Sequence, residues 1–302
     1  MSMNRNITKA KSFDASSITY REVVVNKRGG KSVQIQVDGQ PLVLQIPLML
    51  TWGVNERVDE QSGRVSYDMA LQFNGDNKAV VKFLDALKEM EDKIKNDSCG
   101  SMCKTWHGKS KMSREVIDAL MYPILKYPRL KDGQGNPTSE PDHSRYPTLK
   151  VKIPYWEGKF NVEIYGMDKK PLYLPSQPSG ASPVTVIPKA SHVNGLIQCT
   201  GIWFAGGKCG VTWKLIQACV RPPARLLGSG TCHIEDDSDD EEADSALAKK
   251  EVSEGPTFDD DDDEVEEMVD EDDEEEEEEE PEPEPVPKKK KKVVRRKKKS
   301  SD

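Results

Sequence analysis

Residues 195–222 read GLIQCTGIWFAGGKCGVTWKLIQACVRP, and the reading of the whole chain turns on them. Two apolar-rich runs, 196–204 and 209–220, flank the short break Ala205-Gly206-Gly207-Lys208. The second run alternates. Cys209, Val211, Trp213, Leu215, Gln217 and Cys219 point one way; Lys208, Gly210, Thr212, Lys214, Ile216, Ala218 and Val220 point the other. A period of two over so long a run specifies a strand, and the glycines specify a hairpin. The apolar pattern stops after it. The stretch is therefore expected to be the closing hairpin of one folded, mainly β domain.

Charge divides the rest. The 302 residues carry 44 Lys+Arg and 53 Asp+Glu, a net −9, but the balance shifts sharply near residue 234. Residues 1–234 hold 32 bases and 21 acids, a body of +11; residues 235–287 hold 31 acids and 2 bases; residues 288–302 hold 10 bases and 1 acid. The chain is a basic domain, an acidic arm and a basic tip. All five Trp, all eight Tyr and all six Cys lie in the body, so only the body has a core to bury. The arm and tip are expected to be disordered. The expected organisation is a flexible segment over 1–18, a β-barrel domain over 19–234, an acidic disordered tail over 235–287 and a basic tip over 288–302. No apolar signal-peptide core opens the chain, and no run approaches a membrane span. The six cysteines are read as reduced thiols.

Within the body, strands are expected over 20–25, 32–37 and 42–50, with turns at 26–30 and 38–40, and Pro47 marking an edge or bulge. A weakly alternating run, 66–73, precedes Asn77, which caps a helix over 78–95 with Val80, Phe83, Leu84, Leu87 and Ile94 on one stripe. A shorter helix covers 113–122, ended by Pro123. Residues 127–145 read as a long polar loop. Strands resume over 149–155 and 160–165, with a turn at 156–159, and a short one covers 184–187. The total is roughly eight strands and two helices.

No Walker lysine loop, nucleophile elbow or zinc-protease helix is present, and no cofactor site is read. Cys99, Cys103 and His107 are spaced by four, which on one helix would align three zinc ligands, with Cys232-His233 as a source of the fourth. Against this, Gly100 and Gly108 weaken a helix there. Cys199, Cys209 and Cys219 lie on strands and read as core or interface filler rather than ligands. The stronger signal is interleaved bases and rings. Lys150, Lys152, Lys159, Lys208, Lys214 and Arg221 are candidate phosphate contacts; Tyr155, Trp156, Trp203 and Trp213 are candidate stacking residues for unpaired bases. The bland reading is that these rings are core. Trp203 and Phe204 face opposite ways on one strand, so one of the two is a candidate for exposure or a second packing layer.

The acidic arm, tethered to a basic body, has a high effective concentration over it and would compete with nucleic acid for the same surface. Ser238, Ser245 and Ser253 sit in acidic surroundings suited to phosphorylation. The run KKKKKVVRRKKK, 288–299, reads as nuclear import or a nucleic-acid contact.

The run at 195–222, the segment Thr51-Trp52-Gly53-Val54 and the strand 67–73 leading into a helix resemble a single-stranded-DNA-binding protein family of nucleocytoplasmic large DNA viruses, similar to the short-tailed-phage proteins. The likeness covers about 20–222. It implies an OB-like antiparallel barrel with a helix, no enzyme activity, a role in viral DNA replication, recombination and repair, and an acidic tail contacting replication or recombination proteins. The tip departs from it, because such tails end acidic. The expectation is a non-catalytic protein coating single-stranded DNA, without membrane contact and compatible with a homodimer. Its expected place is the host nucleus or viral replication compartment, or the virion. The alternatives are a nuclear acidic histone-chaperone-like protein, against which the +11 body argues, and a DNA-associated virion structural protein.

Overall fold

The computed structural model describes residues 7–27, 29–60, 62–176 and 180–223. The acidic arm, the basic tip, Cys232 and His233 lie outside them.

Five strands form the barrel: β1 (Val43–Val58), β2 (Val65–Gln72), β3 (Thr148–Ile153), β4 (Ser191–Ala205) and β5 (Lys208–Arg221). Pairing runs β1-β2-β3-β5-β4 and returns to β1. All contacts are antiparallel except β3–β5, where Lys152 faces Lys214 in parallel and closes the cylinder. This is the five-strand Greek-key order of the OB-like barrel, as the resemblance implies; the alternation and turn signals predict only its β character. Closure leaves no barrel edge for another chain to template. The core inside is apolar: Leu44, Ile46, Met49, Met69, Leu71, Val151, Ile197, Cys199 and Leu215 are each at most 2% exposed.

Helix α1 (Lys78–Cys99) follows β2. The Asn77 side chain accepts from the Ala79 N–H, as expected of the cap, and Val80, Phe83, Leu84, Leu87, Met90 and Ile94 form the buried stripe. The helix runs four residues past the expected Lys95. The extra turn is held where Tyr20 donates to Asp97 Oδ2 at 2.6 Å and Lys93 reaches the same oxygen at 2.9 Å. Two shorter helices follow, α2 (Cys103–His107) and α3 (Arg114–Leu120).

Several expectations are corrected. Residues 7–18 are not a loose segment. Ile7–Lys9 pairs in parallel with Val43–Gln45 of β1, and Ala10, Phe13, Ala15 and Ile18 are buried in the core. Those apolar residues are isolated among polar ones and follow neither a strand nor a helix period, so sequence periodicity misses them. The expected loop at 127–145 holds a two-stranded hairpin, Arg129–Lys131 with Pro137–Pro141. Residues 184–187 are not a strand. Pro183–Val186 forms a helical turn, α4, because Ser182 and Thr185 make reciprocal capping bonds and Pro183 sits at its start. That local cap outweighs the β preference of Val184 and Val186.

The alternation of β5 is also broken. Leu196 faces Gln217 while Ile197 faces Leu215, so Ile216 is an extra residue. Before it, Cys209, Trp213 and Leu215 are buried; after it, Ala218 and Val220 are buried, and Gln217 and Cys219 are only half-buried.

Candidate nucleic-acid interface

The outward face of β2 and β3 is the polar face of the barrel. On β3, Leu149, Val151 and Ile153 point in, so Thr148, Lys150 and Lys152 point out. Register places Lys150 opposite Ala70 and Lys152 opposite Asp68 on β2. On β1, Asn55 faces Asp68 and Arg57 faces Ser66. Lys214 of β5 lies on the other side of Lys152. Lys150, Lys152, Lys214 and Arg57 thus come from three strands, β1, β3 and β5, that flank or follow β2 in the barrel order.

One carboxylate organises them. Asp68 is only 6% exposed. Its Oδ2 takes Arg57 Nε at 3.4 Å and Lys150 Nζ at 3.5 Å, and Asn55 Nδ2 donates to its Oδ1 at 3.4 Å. A carboxylate this covered needs its cations, and in return it fixes two long side chains on the face. Lys152 and Lys214 add two charges at the seam. Like charges directly opposite on neighbouring strands are unfavourable, and an anion placed between them would offset that.

Aromatic rings flank this surface. Beyond β3 a tight hairpin joins Tyr155–Trp156 to Lys159–Phe160. Glu157 and Gly158, both at positive φ (47° and 81°), form its turn. Tyr155 faces Phe160 and packs with it against Tyr67, ring centroids 4.7–4.8 Å apart. On the other face of the hairpin Trp156, opposite Lys159, is 60% exposed. The interior ring cluster holds the hairpin so that Trp156 and Lys159 are presented together.

The remaining predicted residues separate. Trp213 is 2% exposed, facing Cys199 inside the barrel, and is not available for stacking. Trp203 is half-buried. Its indole lies across Gly210 on the facing strand, where an added Cβ would meet the ring at 2.7 Å, and its centroid is 5.7 Å from that of Tyr122. Lys208 donates to the Ala119 carbonyl at 2.9 Å. Along β5, Lys208 precedes Lys214 by six residues and Arg221 follows it by seven, about 20 Å and 23 Å on an extended strand. Lys150, Lys152 and Lys214 therefore come together, Trp156 and Lys159 sit on the hairpin that follows β3 with Tyr155 as its support, and Lys208 and Arg221 lie farther along β5.

Three residues of the surface escape the sequence reading. Arg57 and Asp68 belong to a weakly patterned stretch. Trp52, 48% exposed, sits in the middle of a strand where a ring reads as core. The signal was the adjacent glycine inside a strand pattern, which marks a bulge.

The predicted zinc ligands do not converge. Gly100 ends α1 directly after Cys99, Cys103 opens α2, and His107 Nε2 bonds Ser98 Oγ at 2.6 Å. Burial, with Lys109 and Lys31 nearby, pushes His107 below its usual range. Among the described residues, no three or more His, Cys, Asp or Glu side chains are grouped to hold a metal ion. Cys199 and Cys209 are buried in the barrel as expected of core filler, and Cys219 is half-buried.

No family model and no curated protein matches the chain. Among solved structures, it is similar to the single-stranded DNA-binding protein of bacteriophage Enc34 in complex with ssDNA, at 14% identity and TM-score 0.33 over 70% of this chain and 96% of that one. It is also similar to gp2.5, a single-stranded DNA binding protein encoded by bacteriophage T7, at 10% identity and TM-score 0.36 over 71% of this chain and all (100%) of that one. Overlaps of this size assign no residue a role.

Proposed function

We propose that the protein binds single-stranded DNA without catalysing a reaction, along the outward face of β2 and β3. The observation that carries this is the gathering of Lys150, Lys152, Lys214 and Arg57 on one barrel face with the exposed Trp156–Lys159 hairpin beside it. Cations tracking phosphates and rings stacking on bases are the means by which proteins hold unpaired strands with little sequence preference. A duplex hides its bases, so rings add nothing there.

In this reading the acidic arm competes for the same face and docks replication or recombination partners, and the basic tip serves nuclear import or a second phosphate contact. The setting is viral DNA replication, recombination and repair. The charge division between body and arm supports these roles.

The test is binding of the full chain to a single-stranded oligomer and to its duplex at two salt concentrations. Preference for the single strand with a steep salt dependence is expected. Equal affinity for the duplex defeats the reading. Deleting the chain after residue 234 is expected to strengthen DNA binding; a histone chaperone would instead lose histone binding on that deletion.

A further inference from the structure

The bulge in β1 builds a place for one base. Thr51 faces Leu71 and Val54 faces Met69, so Trp52 and Gly53 together oppose the single residue Ala70. Thr51 and Val54 both turn toward the core side; between them Trp52 is exposed on the outer side, while Gly53 is buried under the 187–189 backbone. The bulge is fixed. Gly53 has φ +97°, which L side chains avoid, and an added Cβ would meet the Ile187 carbonyl at 3.3 Å and the Lys189 nitrogen at 3.4 Å. Thr51 Oγ1, fully buried, lies 3.3 Å from both the Gly53 nitrogen and the Gly53 oxygen. The indole of Trp52 is 48% exposed at this rigid point.

Its neighbours suit a nucleotide. Across Ala70, the next strand presents Lys150, about 10 Å away at ordinary strand spacing. On the opposite flank, the backbone of Lys189 lies against Gly53, and its exposed side chain has no ion-pair partner among the described residues. Ala70 between them leaves a shallow floor with a single methyl group. Bulges characteristically re-aim a side chain at binding sites, and this one leaves the Trp52 ring 48% exposed.

We propose that Trp52 is a base-stacking platform for one nucleotide of a single strand, with Lys150 and Lys189 on its flanks taking the adjacent phosphates. This rests on the reading of the β2–β3 face as a single-strand groove and extends that groove by one strand. It names a residue and a subsite, not merely a charged surface.

The experiment compares fluorescein-labelled oligo-dT of about twenty nucleotides with an abasic strand of equal length, using full-chain wild type, Trp52→Ala, Trp52→Phe, Ala70→Ile and Lys189→Gln. Thermal melting of each variant checks folding. Trp52→Ala is expected to weaken oligo-dT binding about 5- to 100-fold, leave abasic binding unchanged and melt like wild type. Trp52→Phe recovers most of the loss, and Ala70→Ile reproduces it by filling the floor. Lys189→Gln weakens both strands alike and lowers the salt slope by about one. Wild-type affinity in a folded Trp52→Ala, or equal losses on both strands, overturns the platform while leaving the groove standing. If Trp52→Ala fails to fold, Trp52→Phe and Ala70→Ile decide: wild-type affinity in Ala70→Ile overturns the proposal. Wild type that binds neither strand sinks the groove and the platform together.

Discussion

The bulge at Trp52–Gly53 in β1 and the bulge at Ile216 in β5 use the same device to opposite ends. In β1 the bulge pushes Trp52 onto the outer surface, and the core side resumes in phase on either side of it at Thr51 and Val54. In β5 the extra residue is not the point; what matters is the phase that follows. Cys209, Trp213 and Leu215 fill the barrel before it, Ala218 and Val220 after it. One bulge displays a side chain, and the other exchanges the two faces of a strand midway. Two tryptophans record the contrast: Trp213 is 2% exposed and Trp52 is 48% exposed.

Trp213→Ala has the largest expected effect. It empties a large buried site and is expected to cost about 3–5 kcal/mol in urea unfolding, whereas Trp52→Ala is expected to stay within about 0.5 kcal/mol of wild type, as an exposed side chain should. Equal costs at the two tryptophans would erase the distinction.

The thiols sharpen it further. Strict alternation places Cys209 and Cys219 on one face. The bulge instead buries Cys209 and leaves Cys219 half-buried with Lys169 Nζ 3.2 Å from its sulfur. Burial pushes the Cys209 thiol up to about 11. The folded state then holds this proton more tightly than the unfolded chain. The stabilising contribution is complete below about pH 9 and is lost as pH rises toward 11, on the order of 2 kcal/mol. Urea melts across that window are expected to show the loss in wild type and less of it in Cys209→Ala. A thiol reagent at neutral pH is expected to modify Cys219 first.

Smaller effects follow. Gly53→Ala forces a Cβ into a left-handed position against the 187–189 backbone and is expected to cost about 1–2 kcal/mol, lowering single-strand affinity with it. Lys152→Gln removes one of two facing lysines. It is expected to lower the salt slope of binding by about one and to raise stability by a few tenths of a kcal/mol. A fall in stability would show that the pair is not repulsive.

The same two bulges mark what the sequence could convey. The closing hairpin, the Asn77 cap and the α1 stripe are all read correctly, because each is a local pattern repeated over many residues. Of the candidate site, the outward placement of Lys150 and Lys152 is legible from alternation in a short strand without a bulge. Trp213 was misassigned because strand periodicity distinguishes two faces without saying which is inside. Arg57 and Asp68 were invisible because their meaning is pairwise: they matter only once register sets them against Lys150.

The barrel is shut by a brief parallel contact, Lys152 against Lys214, between strands that share no hairpin. The stave that completes the cask is joined through a single pair of residues, and both are lysines. A polyanion laid across it would act as a hoop. Occupancy should therefore slow the opening of β3 from β5, visible as hydrogen-exchange protection at 148–153 and 212–216 that grows with oligonucleotide and fades with salt.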